Sequence, residues 1–418
     1  MPVIYDRRFE TTALRKKLRQ EKPDVVCLTG YITQEKLMLR LIHAVKAFDQ
    51  TIVVVVGGSH VELNYRNFYA SEADYLYRMN GLRNFELLMT YIDGCRGNAA
   101  AARISLEEIH GICYVRDGTW LCRPTEVETP EDLPVPDRTH FYANEQRYRY
   151  LRFHPLALIK NAYSCPNACT FCYCTNRNLG SYRCRSVAQL VDEIASLQVQ
   201  NIHITDDNFL VSRTYLQDFI ALVKKRNIRK NYLVYGRAEF IAQNEDLIKA
   251  LGEIGLSLVM VGLEATNDDA LDAYHKHTTL EQNEACIRIL HENHIICAGL
   301  FIVNQNMTKQ DFKRLYQWIA KRPIIPTISV FTPMQGTASY QEYEPQLLTK
   351  DVRKQDLFHC ILQPKTMHVR RFTLAYYALS WRLTFKNRKS DLYACIGLSD
   401  VWFVIKQACV KCMRLLRL

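Results

Sequence analysis

Three cysteines in one short stretch, Cys165, Cys169 and Cys172, are the residues of this 418-residue chain best suited to chemistry. Their spacing is CxxxCxxC, and the first gap is filled by Pro166, Asn167 and Ala168, residues that favour turns rather than a periodic core pattern. Three thiols on such a loop can converge on one small object with no helix or strand between them. A cubane iron–sulfur cluster takes four ligands, all thiolates where it only carries electrons. A loop that supplies three leaves one iron open, and an open position on a metal centre marks chemistry rather than structure. Two plainer readings compete: three neighbouring core cysteines, or a structural zinc site. Zinc usually brings a second CxxC or HxxxH half. Cys174 and Cys184 follow closely but form no such half, and read as nearby thiols.

The elements that must hold this loop follow from hydrophobic period. Leu156–Asn161 reads as a strand running straight into it. Beyond it comes a helix at 186–198, with Ser186 as N-cap and Val187, Leu190, Val191, Ile194 and Leu197 on one face. Strands at 201–205, 232–235, 257–261, 297–303 and 327–331 then alternate with helices at 215–226, 244–254, 280–293 and 311–322. Polar residues gather just after the strands: Asp206-Asp207-Asn208, Gly236-Arg237 and Gly262-Leu263-Glu264. In a β/α barrel that end carries catalysis. Ahead of this run, buried strands at 24–29 and 51–56 flank a helix at 34–48, which predicts a parallel sheet. The Gly57-Gly58 turn after the second strand allows close approach of a ligand. A helix at 85–92 follows, then a β segment around 109–120 with Arg116-Asp117-Gly118 as its hairpin turn. Pro124, Pro130, Pro134 and Pro136 belong to an extended connector. The expected layout is an α/β domain over 1–123, a linker over 124–150, a partial barrel over 151–345 and a helical, basic region over 346–418.

Composition narrows the class. Hydrophobic content of 48% and charged content of 23% are ordinary for a globular protein. No stretch of 18 apolar residues exists to span a bilayer, and Met-Pro-Val-Ile-Tyr-Asp lacks a signal-peptide layout. The expectation is a cytoplasmic protein with reduced thiols. Of its fifteen cysteines, those in apolar runs, such as Cys27, Cys113 and Cys297, read as small core residues. The net charge of +11 is concentrated after residue 353. Residues 400–418 form a basic amphipathic pattern, suited either to an anionic membrane surface or to packing on the barrel. Nucleic acid is disfavoured as a partner, because no appended RNA-binding module or aromatic–basic strand is present.

The CxxxCxxC loop, with Phe171 before its last cysteine, resembles the signature of the radical S-adenosylmethionine (SAM) superfamily. Arg183-Cys-Arg-Ser186, Asp206-Asp-Asn-Phe209, Val261-Gly-Leu-Glu-Ala-Thr-Asn267 and Phe331-Thr-Pro-Met-Gln-Gly-Thr337 are similar to the branch with an N-terminal cobalamin-binding-type domain. Pro23-Asp-Val-Val26, Gly57-Gly-Ser-His60 and Leu133-Pro-Val-Pro-Asp-Arg138 resemble its front half. The resemblance covers about residues 20–385. It implies a Rossmann-like parallel-sheet domain followed by a partial (β/α)6 barrel holding a [4Fe-4S] cluster on Cys165, Cys169 and Cys172. It also implies SAM on the open iron, near Phe171, with Asp206, Asp207 and Asn208 at its amino group, Arg237 at its carboxylate, Glu264 at its ribose and Ile302 on its adenine. Reductive cleavage of SAM, with flavodoxin or ferredoxin as electron donor, would yield a 5′-deoxyadenosyl radical that abstracts hydrogen from a small-molecule, lipid or peptide substrate. The front domain departs from the pattern: it is shortened, lacks DxHxxG, and reads Arg78-Met-Asn-Gly-Leu-Arg83 where the branch has a glycine-rich acidic turn. Cobalamin binding is therefore left open. Hydrogen abstraction is the leading expectation; cobalamin-dependent C-methylation, RNA modification and a non-catalytic iron–sulfur or zinc protein are the alternatives.

Overall fold

The computed structural model describes residues 3–6, 12–79, 81–97, 104–267, 271 and 278–387. The helix expected at 400–418 lies outside them. In the N-terminal part the strands β1 (Val25–Thr29), β2 (Val53–Gly57) and β3 (Tyr75–Tyr77) run parallel, and the hairpin β4 (Ile112–Arg116) and β5 (Thr119–Cys122) continues the sheet in the order β1-β2-β3-β4-β5. Helices α1 (Leu14–Glu21), α2 (Glu35–Lys46), α3 (Ser59–Asn64) and α4 (Arg83–Cys95) cover it. The valine run of β2 alternates between two cores: Val54 and Val56 pack with Ile42, Val45 and Phe68, and Val55 with Leu88, Ile92 and Ile112. Such a strand, buried on both faces, reads as a continuous apolar run.

Two cysteine expectations fail in this domain. Cys27 is exposed, because β1 is the edge of its sheet. Cys113 is buried as expected but not reduced: it is joined in a disulfide to Cys122, its register partner across the hairpin, with Cα atoms 4.0 Å apart. The hairpin places the two side chains opposite each other, a pairing that a sequence gap of nine residues does not announce.

After α5 (Thr139–Asn144) the chain builds a second sheet from β6 (Leu156–Ile159), β9 (Asn201–Ile204), β10 (Asn231–Gly236), β11 (Leu256–Glu264), β12 (Ile296–Val303) and β13 (Ile324–Val330). All neighbours are parallel, in the order β6-β9-β10-β11-β12-β13, so the sheet is an open barrel with edges at β6 and β13. Between β6 and β9 lie the short antiparallel pair β7 (Ala162–Tyr163) and β8 (Arg183–Cys184), which brackets the cysteine loop. Helices α6 (Val187–Ser196), α7 (Arg213–Lys225), α8 (Ala238–Gln243), α9 (Glu245–Glu253), α10 (Leu280–Glu292) and α11 (Lys309–Ala320) follow the strands, then α12 (Ala338–Tyr343) and α13 (Val369–Asn387).

Strand side chains alternate as a barrel requires. Val259 and Val261 face the helices, whereas Leu258 and Met260 join Leu233 and Ala298 inside, where Tyr150, Leu151 and Phe153 plug the lumen. Ser186 caps α6 as expected, accepting from Gln189 N in a capping box. Among the described residues no helix is long and apolar enough to cross a membrane.

Candidate functional site

The cysteine loop leaves β7 through Ser164, which adopts a left-handed φ of 61° and whose hydroxyl donates to the carbonyl of Cys174 at 3.2 Å. The loop closes on itself where Cys172 N donates to Cys169 O at 3.1 Å, and Ser339 N of α12 ties it to the far side of the barrel through Thr170 O at 3.2 Å. All three candidate ligands are half-buried. Burial raises the pKa of Cys165. Cys172 is lowered, because the Cys174 thiol donates to its sulfur, and Cys174 itself is raised by the same contact and by burial. Cys174 is thus a buried donor that favours thiolate at Cys172, while Cys184 sits in β8 opposite Ala162.

The strand ends converge on this loop. Asp206 is fully buried and turned away from the thiols: its carboxylate accepts from Asn161 N at 2.7 Å, Ala162 N at 2.8 Å and Asn161 Nδ2 at 3.1 Å. Burial outweighs these donors and pushes its pKa up to about 6. Its oxygens are thus engaged by the segment that launches the cysteine loop. Asp207 faces the other way, against the Cys174 thiol. Its Oδ2 is buried without a hydrogen bond, and Lys160 Nζ stands 3.8 Å off. Asn208 is buried too, and its Oδ1 has no partner.

Arg237 follows β10, is paired with Glu239, and brings Nη1 within 3.5 Å of Cys169 Sγ. Glu264 ends β11 just past a register shift; it is buried, with a φ of 58°. A left-handed glutamate at a strand end is a strained conformation of the kind that clusters at functional sites. Phe171 and Ile302 pack on the same small cluster, around Phe331 and Leu362, so the expected aromatic and adenine contacts share one wall.

The sequence reading missed three polar side chains here. Asn161 is buried and clamps Asp206 while accepting from the Tyr215 hydroxyl at 3.0 Å. Gln305, two residues beyond β12, is buried with Oε1 unpartnered. His203, at the middle of β9, has Nε2 buried without a partner, its ring 5.7 Å from that of Tyr235. Gln305 obeys the rule that polar residues after strands are informative; the other two lie within or beside strands and carried no local signal.

These residues fit a cluster with SAM at its open iron. Among the described residues no three His, Cys, Asp or Glu side chains stand close enough to hold a single ion. Ligands to three separate irons of a cubane are spaced more widely than ligands to one ion. The unpartnered oxygens of Asp207 and Asn208 suit an ammonium group, and the Arg237 guanidinium suits a carboxylate.

A second region links the two sheets. Glu62 of α3 accepts from Arg177 Nε at 2.9 Å and from Asn178 N at 3.1 Å, on the segment that continues the cysteine loop. Asn64 and Asn67 donate to Gln335 at 3.2 and 2.9 Å. Beside this seam lies a cavity of about 220 Å³, lined among others by Tyr65, Arg78, Glu126, Glu128 and Asn176. Arg78 lies over the Tyr65 ring at 3.9 Å, and its buried Nε has no partner.

Comparison with known proteins matches the Radical SAM superfamily over residues 162–319 and the B12 binding domain over residues 3–86. The chain is 26% identical over 232 residues to the hopanoid C-3 methylase of Methylococcus capsulatus, covering 56% of this chain and 44% of that protein. It is 27% identical over 364 residues to the anaerobic magnesium-protoporphyrin IX monomethyl ester cyclase of Rubrivivax gelatinosus, covering 85% and 64%. It thus spans less than two thirds of the length of both. The cobalamin-dependent S-adenosylmethionine radical enzyme OxsB with aqua-cobalamin bound superposes with a TM-score of 0.67 at 16% identity, over 89% of this chain and 60% of that one. The radical S-adenosylmethionine methyltransferase TsrM from Kitasatospora setae gives 0.66 at 16%, over 88% and 82%. The cysteine loop, the parallel barrel and the open sheet ahead of it agree with both family matches: this chain carries a radical SAM domain over residues 162–319 behind a B12-binding domain over residues 3–86.

Proposed function

We propose that this chain is a cobalamin-dependent radical SAM enzyme that modifies an unactivated carbon of a small, largely apolar molecule, with C-methylation as the favoured outcome. The relatives move the emphasis here: methylases and a cyclase favour the cobalamin-dependent alternative over hydrogen abstraction from substrate alone. The observation that carries the reading is the seam. The cavity beside it is lined both by the carboxyl side of the front sheet (Arg78, Met79) and by the continuation of the cysteine loop (Asn176, Asn178), so a group held there touches both domains. The unpartnered Arg78 Nε and the amide of Asn176 match the amide-rich rim of a corrin. At about 220 Å³ the cavity takes that rim rather than a whole ring.

The [4Fe-4S] cluster and SAM supply a one-electron cleavage of the sulfonium, and cobalamin a methyl carrier. The chain's own part is placement. Cys165, Cys169 and Cys172 hold the cluster. Asp206 and Asn161 fix the backbone from which the loop springs. Asp207, Asn208, Arg237 and Glu264 bind the polar groups of SAM, and Phe171 and Ile302 close the apolar wall. A flavodoxin- or ferredoxin-type reductant and a location in the cytoplasm complete the proposal.

The test is anaerobic reconstitution with iron, sulfide and hydroxocobalamin, followed by SAM and a reductant. Expected are about four irons and one cobalamin per chain, and formation of both S-adenosylhomocysteine and 5′-deoxyadenosine. The first product reports methyl donation and the second reductive cleavage. 5′-Deoxyadenosine alone, with no cobalamin retained, would return the function to hydrogen abstraction. Absence of both products from fully loaded protein would reject radical SAM catalysis.

A further inference from the structure

The helix α13 closes the described chain and is apolar on two opposite sides. Phe372, Tyr376, Leu379 and Leu383 are buried against α11 and β13, and the Tyr376 hydroxyl donates to Ile328 O at 3.1 Å. A surface helix should turn charged or polar residues to the other side. Here that side carries Leu374, Ala378, Trp381 and Phe385, spaced by four, three and four residues, which puts them within about 60° of one another around the axis. Leu374 is 68% exposed and Phe385 54% exposed, on side chains that a water-facing helix has no reason to hold out. Arg370, Arg371, Arg382 and Lys386 flank the stripe and are exposed, and the helix has no acidic residue.

We infer that this outer face of α13 docks on an anionic lipid surface. An apolar stripe with a tryptophan, set between basic side chains, is the pattern of a helix lying in the plane of a bilayer interface. The charge complement selects the occupant: four cations and no anion match anionic headgroups. Trp381 and Phe385 are already stacked on each other, ring centroids 5.8 Å apart, which leaves them poorly placed to sandwich a nucleic-acid base. Arg382 has its guanidinium 3.9 Å from the centre of the Tyr316 ring, which holds one edge of the basic rim against α11. The helix is fixed to the barrel by its inner face, so docking would set the whole barrel against the membrane. That arrangement suits an enzyme drawing an apolar substrate from the lipid phase, although the inference does not depend on the proposed reaction.

The test uses the full chain and co-sedimentation with vesicles of phosphatidylcholine alone, or mixed with phosphatidylglycerol, at low and high salt. Expected is binding to the anionic vesicles that weakens with salt, and at least about ten-fold weaker binding for the double variant Leu374→Ser, Phe385→Ser. Both side chains are exposed, so the variant should keep its melting temperature; Arg370→Gln with Arg371→Gln is the second variant and should lose the salt-sensitive part. Unchanged vesicle binding by the Leu374/Phe385 variant would overturn the assignment to α13, whatever the rest of the chain contributes. So would no binding by the wild type, a wild-type dimer that this variant dissociates, or a basic face that retains RNA but not vesicles.

Discussion

Asp206 and Asp207 are neighbours in sequence and do different work. Asp206 accepts three N–H groups at the root of the cysteine loop, and Asp207 looks onto the thiols with an oxygen to spare. Asp206→Asn would turn an amide N–H toward backbone donors, leaving buried groups unpaired at a cost of about 1–3 kcal/mol. Its melting temperature and iron loading should both fall. Asp207→Asn keeps shape and strips no backbone donor of its acceptor, so its melting temperature should fall less than that of Asp206→Asn, while SAM affinity drops about ten-fold by equilibrium dialysis. If the two variants behave alike, the division of labour is wrong. The sequence alone offered two equivalent carboxylates after a strand. Which one turns inward depends on Asn161, forty-five residues earlier, so the distinction belongs to the barrel and not to the motif.

Among elements, α3 carries most of the coupling between the sheets. Glu62 and Arg177 are both largely buried and hydrogen-bonded, so removing one partner strands the other. For buried pairs that loss is about 3–5 kcal/mol. Glu62→Gln retains a neutral acceptor and should lose less, roughly 1–3 kcal/mol. In calorimetry the expected outcome is a lower first transition that separates unfolding of the front domain from that of the barrel. Pairing Glu62→Gln with Arg177→Met should restore part of the loss, because the stranded charge goes too; strict additivity would mean that the contact does not couple the domains. None of this seam was legible beforehand. The strands were legible, because a buried β-run announces itself locally in Thr51–Val56 and Ser257–Val261. The strand β3 was missed because it has three residues, Tyr-Leu-Tyr, too few to show a period. The exposure of Cys27 was missed because an apolar run does not say whether its strand is central or at the edge.

At the scale of the whole molecule, what could be read ahead was whatever the chain writes within a few residues: the cysteine spacing, the βα alternation, the capping of α6. What could not was whatever the fold brings together, including the Cys113–Cys122 pair, the seam and the lumen. His203 illustrates the last. In sequence it is one polar residue inside an apolar strand; in the barrel its unpartnered Nε2 is buried, and burial lowers its pKa to about 4. This has a consequence for stability with a definite sign. Above the ordinary histidine pKa of about 6.5 the ring is neutral in both states and costs nothing. As pH falls from there toward 4, the unfolded chain takes up a proton that the folded chain resists, so stability is lost through that window. Asp206 works in the opposite direction: held up at about 6, it binds its proton more tightly when folded and favours the fold on the acid side. The wild-type slope therefore mixes the two, and a variant separates them. His203→Gln keeps a polar side chain of similar reach without the titration. Under anaerobic conditions, urea midpoints between pH 7.5 and 5 should show the wild type losing ground to the variant as the pH drops below about 6.5. A difference between the two that stays flat across that range would place His203 in contact with solvent, and the lumen of the barrel open to water.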